Sequence, residues 1–455
     1  MLKTFVEPSS VALIGVSRRT GEGSFNILEN LLNAGFSGRI YPVNPNASEI
    51  LGIKTYPRIR DIPELVDLAV ITTPRELVLP LLQETLEKGI KSIVVVAQGF
   101  ADADSEGREL QEEMVKLARK EEGRILGPNT FGAANAFINF SSSFVPIKMT
   151  EIPVGVICQT GVFFVGFSYA GLIGKGLDLG NACDIGPEEG LEYFAADNQV
   201  KVIGIHIEGI KDGKRFLKVA QEASKKKPII ALKAGKGEKA AKAAQSHTGS
   251  LVGRDEVWDK ALKQSGVIRA GDLDEFLDLI LAFAYLPRLE GRNLGVVSFT
   301  GGFNIITIDS CERYELRLPE LSEGIKGKIS PFAPPWFKID NPLDVWPLAG
   351  IGKGSQDMLG TTLFSMRTLL SESKINALLF IGGAFTPSFA AELSQLILEV
   401  AADFQGKPVV SFIYGPYAAE VKEEIHKAGI SVVFPSPERA VRALSRMADY
   451  YLLYR

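Results

Sequence analysis

Short β-branched runs alternate with helix-period segments along almost the whole chain, and few folds accept that alternation. Val11–Val16, Arg39–Val43, Leu68–Thr73, Ser92–Ala97 and Arg124–Gly127 read as buried strands, with helical patterns near Ser24–Ala34, Arg75–Lys88 and Ser105–Lys120 between them. Strands that are apolar on both faces and separated by helices predict a parallel sheet covered on both sides. A second set runs Val154–Cys158, Gly176–Leu179, Val202–Ile207 and Pro228–Lys233, with helices near Val162–Ile173, Pro187–Ala196, Gly213–Lys226 and Asp255–Ser265. After a linker at 287–292, a third set runs Leu294–Phe299, Ala377–Ile381, Val409–Ile413 and Ser431–Phe434, and Pro437–Tyr450 is the last helix. The Pro- and aromatic-rich stretch 331–347 reads as a long ordered loop. At 455 residues the chain exceeds one ordinary domain. The expected fold class is α/β, with three doubly wound domains at 1–145, 146–290 and 291–455.

Composition narrows the function classes. A formal net charge of −4 argues against a nucleic-acid or anionic-membrane binder. Cys158, Cys183 and Cys311 are scattered with no CxxC pair, so neither a disulfide framework nor a metal site is expected, and a reducing cytoplasm suits them. No apolar run reaches the roughly 18 residues of a membrane span.

One segment carries the chemistry. Among three histidines, only His247 sits in a run of hydroxyl and glycine residues, Ser246-His247-Thr248-Gly249-Ser250, ahead of a helical pattern beginning near Asp255. Backbone amides at a helix start, with Ser and Thr hydroxyls, hold phosphate, and a neutral imidazole nitrogen can accept a phosphoryl group. His206 alternates into a strand interior and reads as a satisfied core histidine. His426 lies on a solvated helix face. Lys233, Lys236, Lys239 and Lys242 read as a solvated, mobile run, or alternatively as a screen for a polyanion.

Strand ends supply further candidates. Ile14-Gly15-Val16-Ser17 and the glycines Gly21 and Gly23 form a turn that docks a pyrophosphate or simply reverses the chain. The second strand ends in Asn44-Pro45, with no acid to hold a ribose, which disfavours an NAD-linked oxidoreductase. Thr72-Thr73-Pro74, Gln98-Gly99-Phe100 and Gly127-Pro128-Asn129-Thr130 would line the same carboxyl edge. Gln159-Thr160-Gly161 opens a helix as a second anion site or an ordinary cap. Glu208 ends a buried strand, where it either hydrogen-bonds a histidine nitrogen or enters a salt bridge or cap.

In this order the motifs resemble the NDP-forming acyl-CoA synthetases, relatives of succinyl-CoA synthetase. The similarity is carried by Ile14-Gly15-Val16-Ser17, Tyr41-Pro42-Val43-Asn44-Pro45, Gly127-Pro128-Asn129, Leu179-Gly180-Asn181, Ile207-Glu208-Gly209-Ile210 and Ser246-His247-Thr248-Gly249. It implies a Rossmann-like CoA-binding domain followed by two flavodoxin-like domains. It also implies the reaction acyl-CoA + ADP + phosphate ⇌ carboxylic acid + CoA + ATP through acyl phosphate and phosphohistidine. His247 would carry the phosphoryl group and Glu208 would steady it. Gly15, Ser17, Asn44, Pro45, Thr73, Pro74, Gln98, Gly99 and Asn129 would bind coenzyme A. Gln159, Thr160, Gly161, Thr248 and Gly249 would cradle phosphate. No ATP-grasp domain is found, so ADP/ATP and Mg²⁺ are expected on a separate β subunit, in an α2β2 assembly. The Gly- and Lys-bearing stretch 234–245 has the composition of a segment that swings His247 between the two. The family's Gly-Pro-Asn-Cys-Leu-Gly is Gly127-Pro128-Asn129-Thr130-Phe131-Gly132 here, and its Ser-Gln-Ser-Gly-Ala is Cys158-Gln159-Thr160-Gly161-Val162. Both departures, with Phe163 and Phe164 following the second, border the expected acyl site. Phe299-Thr300-Gly301-Gly302-Phe303 departs as well, whereas Asn341-Pro342-Leu343-Asp344 is kept. The alternative reading is a non-catalytic CoA-binding regulatory protein on the same fold.

Overall fold

The computed structural model describes residues 2–237, 239, 255–349 and 355–454. These form two compact units, Met1–Gly271 and Asp272–Arg455. The first two expected domains therefore share one unit, and the break falls after Gly271 rather than at 290.

In the first unit, β1 (Ser10–Ile14), β2 (Arg39–Val43), β5 (Leu68–Ile71), β6 (Ser92–Val95) and β7 (Arg124–Leu126) make a parallel five-stranded sheet of order β2-β1-β5-β6-β7, and β3 (Glu49–Ile50) pairs with β4 (Ile53–Lys54) as a small hairpin. Period-2 alternation sends Leu13, Leu68, Val70 and Val94 into one core, while Ala12, Ile14, Ala69 and Ile71 enter another on the opposite face. The strand order reverses beside β1, so a crevice opens at the carboxyl ends of β1 and β5.

The second sheet has seven strands in the order β14-β13-β12-β10-β11-β8-β9. Its parallel body is β10 (Val154–Cys158), β11 (Lys175–Asp178), β12 (Val202–Ile207), β13 (Ile229–Lys233) and β14 (Ile268–Arg269). Two short antiparallel strands, β8 (Ala133–Asn135) and β9 (Phe140–Ser141), complete its edge. Those residues were expected in the first domain. They are small or single apolar residues with no β-branched run, and the ladder onto β11 places them.

The second unit holds a parallel sheet of order β16-β15-β17-β18-β19, from β15 (Leu294–Ser298), β16 (Leu343–Asp344), β17 (Ala377–Gly383), β18 (Val409–Tyr414) and β19 (Val432–Phe434). The expected 331–347 loop contains β16, and helix Trp346–Ala349 follows it. Asn341 explains why this stretch is ordered: its Oδ1 accepts the Val296 amide and its Nδ2 donates to Leu294 O, both at 2.9 Å. Helix Leu273–Tyr285 belongs to this unit, where it packs on helix Pro437–Leu453. Asp278 there accepts Arg439 at 2.7 and 2.8 Å, and Glu275 accepts Arg446 at 3.1 Å. His426 is half-buried rather than solvated. Its Nε2 accepts the Val433 amide at 3.1 Å, and burial lowers its pKa to about 4.

Candidate functional site

The crevice at the first sheet is a cleft of about 540 Å³. Gly15, Ser17, Gln98 and Asn129, all expected to bind the cofactor, line it together with Thr72, Thr130, Phe25, Phe131 and Phe144. Gly15 follows β1 with φ +81°, and a Cβ there would lie 2.5 Å from the Thr73 methyl carbon. Only glycine serves both demands. Asn129 also adopts a left-handed φ of +58°, with its amide bonded to Ala97 O at 2.8 Å, so the turn after β7 is pinned over β6.

The other expected cofactor residues do not line the cleft; they shape it. Asn44 donates to Val16 O at 2.9 Å and accepts the Asn46 amide at 2.9 Å, bracing the Gly15–Ser17 turn. Pro45 is exposed beside it. Thr73 packs its methyl beneath Gly15, and its buried hydroxyl has no hydrogen-bond partner among the described residues. Pro74 precedes helix Arg75–Glu87, and Gly99 O accepts Arg75 at 2.7 Å. Sequence reasoning missed the aromatic wall. Phe131 stacks on Phe144 with centroids 4.8 Å apart, and Phe144 meets Phe25 edge-on at 6.1 Å. Phe25 and Phe144 lie in turns with no periodicity to point them inward; only Phe131, inside a motif, carried a signal.

The second half of the site lies at the carboxyl ends of β10 and β12. Thr160 precedes helix Gly161–Tyr169, yet makes no side-chain cap. Its hydroxyl instead donates to Glu208 Oε1, which removes the cap alternative for Thr160. Glu208 is buried, with 7 % exposure. Gln159 is engaged with the backbone: its Oε1 accepts the Glu208 and Gly209 amides at 2.6 and 3.1 Å, and its Nε2 donates to Gly209 O at 2.7 Å. It locks the Glu208 turn to the β10 turn. Lys233 is buried rather than solvated, which corrects the first member of the lysine run. Its ammonium donates to Glu208 O at 3.0 Å, sits 5.1 Å over the Trp258 ring, and is pulled down to about pKa 8 by burial. Lys236 and Lys239 are exposed.

The two halves meet at one ring. Phe131 lines the cleft, and a Cβ on Gly161 would overlap its ring, so the helix start is pressed against the aromatic wall. The helix dipole and first-turn amides there favour an anion. His206 is buried beneath, stacked on Phe163 at 4.0 Å, and neither nitrogen has a partner among the described residues. It is therefore not the satisfied core histidine expected, and burial drives its pKa to about 3. Phe164 is core and Phe163 half-buried. Ser246, His247, Thr248, Gly249, Lys242 and most of 234–245 lie outside the described residues. Among those described, no cluster of three metal-ligating side chains occurs, and no helix is long and apolar enough to cross a membrane.

Residues 9–136 match the CoA binding domain family, and residues 153–283 match the succinyl-CoA ligase like flavodoxin domain. The α subunit of ADP-forming acetate–CoA ligase I from Pyrococcus furiosus is 35% identical over 98% of this chain and 97% of its own length. The chain belongs to the NDP-forming acyl-CoA synthetase family. The ADP-forming acetate–CoA ligase of Methanocaldococcus jannaschii is 36% identical over 99% of this chain, which spans 64% of that relative's length. A solved structure, the dinucleotide forming acetyl-coenzyme A synthetase 1 of Ca. Korarchaeum cryptofilum in complex with phosphate and ADP, superposes with a TM-score of 0.89. It is 31% identical and covers 100% of this chain and 97% of its own. In this member of the NDP-forming acyl-CoA synthetases, the cleft lies mostly within the residues that match the CoA binding domain family, with glycine at the strand end, an open crevice and polar strand ends on one edge.

Proposed function

We propose that this chain is the α subunit of an NDP-forming acyl-CoA synthetase that acts in the cytoplasm with a separate ATP-grasp β subunit in an α2β2 assembly. Coenzyme A lies in the first-sheet cleft, with its thioester end at the Asn129–Phe131 turn. A phosphate oxygen attacks the thioester carbonyl, the C–S bond breaks, and CoA leaves. His247 then attacks phosphorus; the bond to the acyl oxygen breaks and the carboxylic acid departs. The histidine passes the phosphoryl group to ADP, held with Mg²⁺ on the β subunit. Thr160, Gly161, Thr248 and Gly249 cradle the phosphoryl group, and Glu208 steadies the imidazole.

The observation that supports this most is the contact between Phe131 and Gly161, which brings the cleft and the helix start into one site. Incubation of the chain, its β partner and acyl-CoA with labelled phosphate should give acid-labile, base-stable label on the chain, absent in His247→Ala. Label that persists in that variant would defeat the assignment. CoA binding without label in the wild type would instead mark a regulatory protein.

A further inference from the structure

Asp178 ends β11 between the two halves of the site, and its side chain is fully buried. Its Oδ2 accepts the Phe131 amide at 2.7 Å and faces the Thr130 hydroxyl at 3.2 Å, a hydroxyl that also reaches Asp178 O. The Thr130 hydroxyl in turn accepts the Gly132 amide at 2.8 Å. One carboxyl group thus fixes the turn that forms the inner wall of the CoA cleft. Its other oxygen, Oδ1, is buried without a hydrogen-bond partner among the described residues. Among the described residues, the titratable groups that act on it are acids: Cys158, its register partner on β10, and Glu208 at the end of β12. A buried carboxylate with one bare oxygen and an acidic neighbour is poorly placed to ionise. The incoming phosphate would add a third negative group.

We propose that Asp178 is a positioning residue that works as the neutral acid, holding the Thr130–Phe131 turn against the phosphate cradle without adding an anion to it. The proton sits on Oδ1, and Oδ2 stays an acceptor for the Phe131 amide. Burial lifts this carboxyl to about pKa 7, with Glu208 adding to the lift, against the Phe131 and Thr130 hydrogen bonds and the nearby Gly180 amide, which faces the carboxyl without forming a hydrogen bond; these lower it. A folded-state pKa above the ordinary carboxylate value means the group favours folding at low pH, and that contribution is lost as pH rises through about 7. The kinetic half of the idea rests on the ligase reading; the protonation half does not.

Two variants and two readouts test it. His206 and His426 make the midpoint rise with pH below about 6.5, so the readout is the difference between the two chains: the thermal midpoint of Asp178→Asn, which mimics the neutral acid, should rise relative to wild type as pH goes from about 5 to 7. With the β subunit present, wild-type kcat should decline above about pH 7, by roughly tenfold per unit at the steepest. Asp178→Asn should stay within about threefold of wild type near pH 6 and lose that decline, whereas Asp178→Ala, without an acceptor for Phe131, should lose about tenfold or more throughout. An unchanged alkaline decline in Asp178→Asn, or a loss beyond about tenfold at pH 6, overturns the proposal. If the wild type shows no turnover, the ligase reading fails. The midpoint profiles then decide the protonation state alone: equal slopes in wild type and Asp178→Asn refute it.

Discussion

At the scale of single residues, the site depends on polar side chains spent on one another. Glu208 takes the Thr160 hydroxyl on one oxygen, and its backbone turn is clamped by Gln159 and Lys233. Removing the hydroxyl strips a buried carboxylate of a donor, a loss of roughly 1–3 kcal/mol in fixing that group. Thr160→Val should therefore lower phosphorylation of the chain by about ten- to a hundredfold while CoA affinity holds, as read by labelled phosphate and calorimetry. Unchanged labelling would remove Thr160 from the cradle. His206 is the opposite case, a polar ring used as an apolar one. Its folded pKa of about 3 lies below the ordinary histidine value, so its contribution is present above about pH 6.5 and lost as pH falls toward 3. His206→Phe keeps the stack on Phe163 and removes the buried nitrogens. It should raise the thermal midpoint and flatten the acid limb between about pH 6 and 4. An unchanged acid limb would mean the ring finds a partner or ionises freely.

At the scale of elements, much was legible and the failures share a cause. Long apolar strands such as Val154–Cys158 and Val202–Ile207 were read to the residue because both their faces are buried. Ala133–Asn135 and Leu343–Asp344 were not, because their identity comes from the neighbour they pair with: β11 for one, β15 for the other. The cleft residues legible in sequence were those at the ends of such strands, Gly15 and Gln98 among them. Asp178 lies in an expected strand and carries no signal of its own, since nothing local distinguishes a buried acid that holds a turn from one that caps a strand. The Phe131–Phe144 stack joins turns far apart in sequence and has no periodicity. Helix Gly161–Tyr169 shows what this means energetically. Its first residue must be glycine because Phe131 occupies the space of a Cβ. Gly161→Ala should cost about 1–3 kcal/mol by overpacking and should weaken phosphate transfer, and Phe131→Leu in the same chain should recover part of the stability. Additive losses in a denaturation cycle would contradict that contact.

At the scale of the whole molecule, the first two sheets fold as one unit because the chain stitches them together. Lys175, at 1% side-chain exposure on β11, donates to Glu7 at 2.7 Å and to Asp197 at 2.6 Å, and Tyr193 donates to Glu7 at 2.7 Å. Glu7 lies ahead of β1, whereas Lys175 belongs to the second sheet and Tyr193 to helix Pro187–Ala196. The strands β8 and β9 cross in the same sense, leaving the first region to finish the edge of the second. Cutting at residue 145 would leave β8 and β9 as an unpaired edge on the first fragment and part Glu7 from Lys175 and Tyr193. A fragment of residues 1–145 should thus be poorly folded or aggregate, as exposed edges do, while residues 1–271 should unfold cooperatively and retain CoA binding. The comparison is direct: circular dichroism melts and CoA titration of the two fragments beside the full chain. A cooperative, CoA-binding 1–145 fragment would show that the first sheet is independent, and that the buried lysine and the shared strands follow from the fold without holding it.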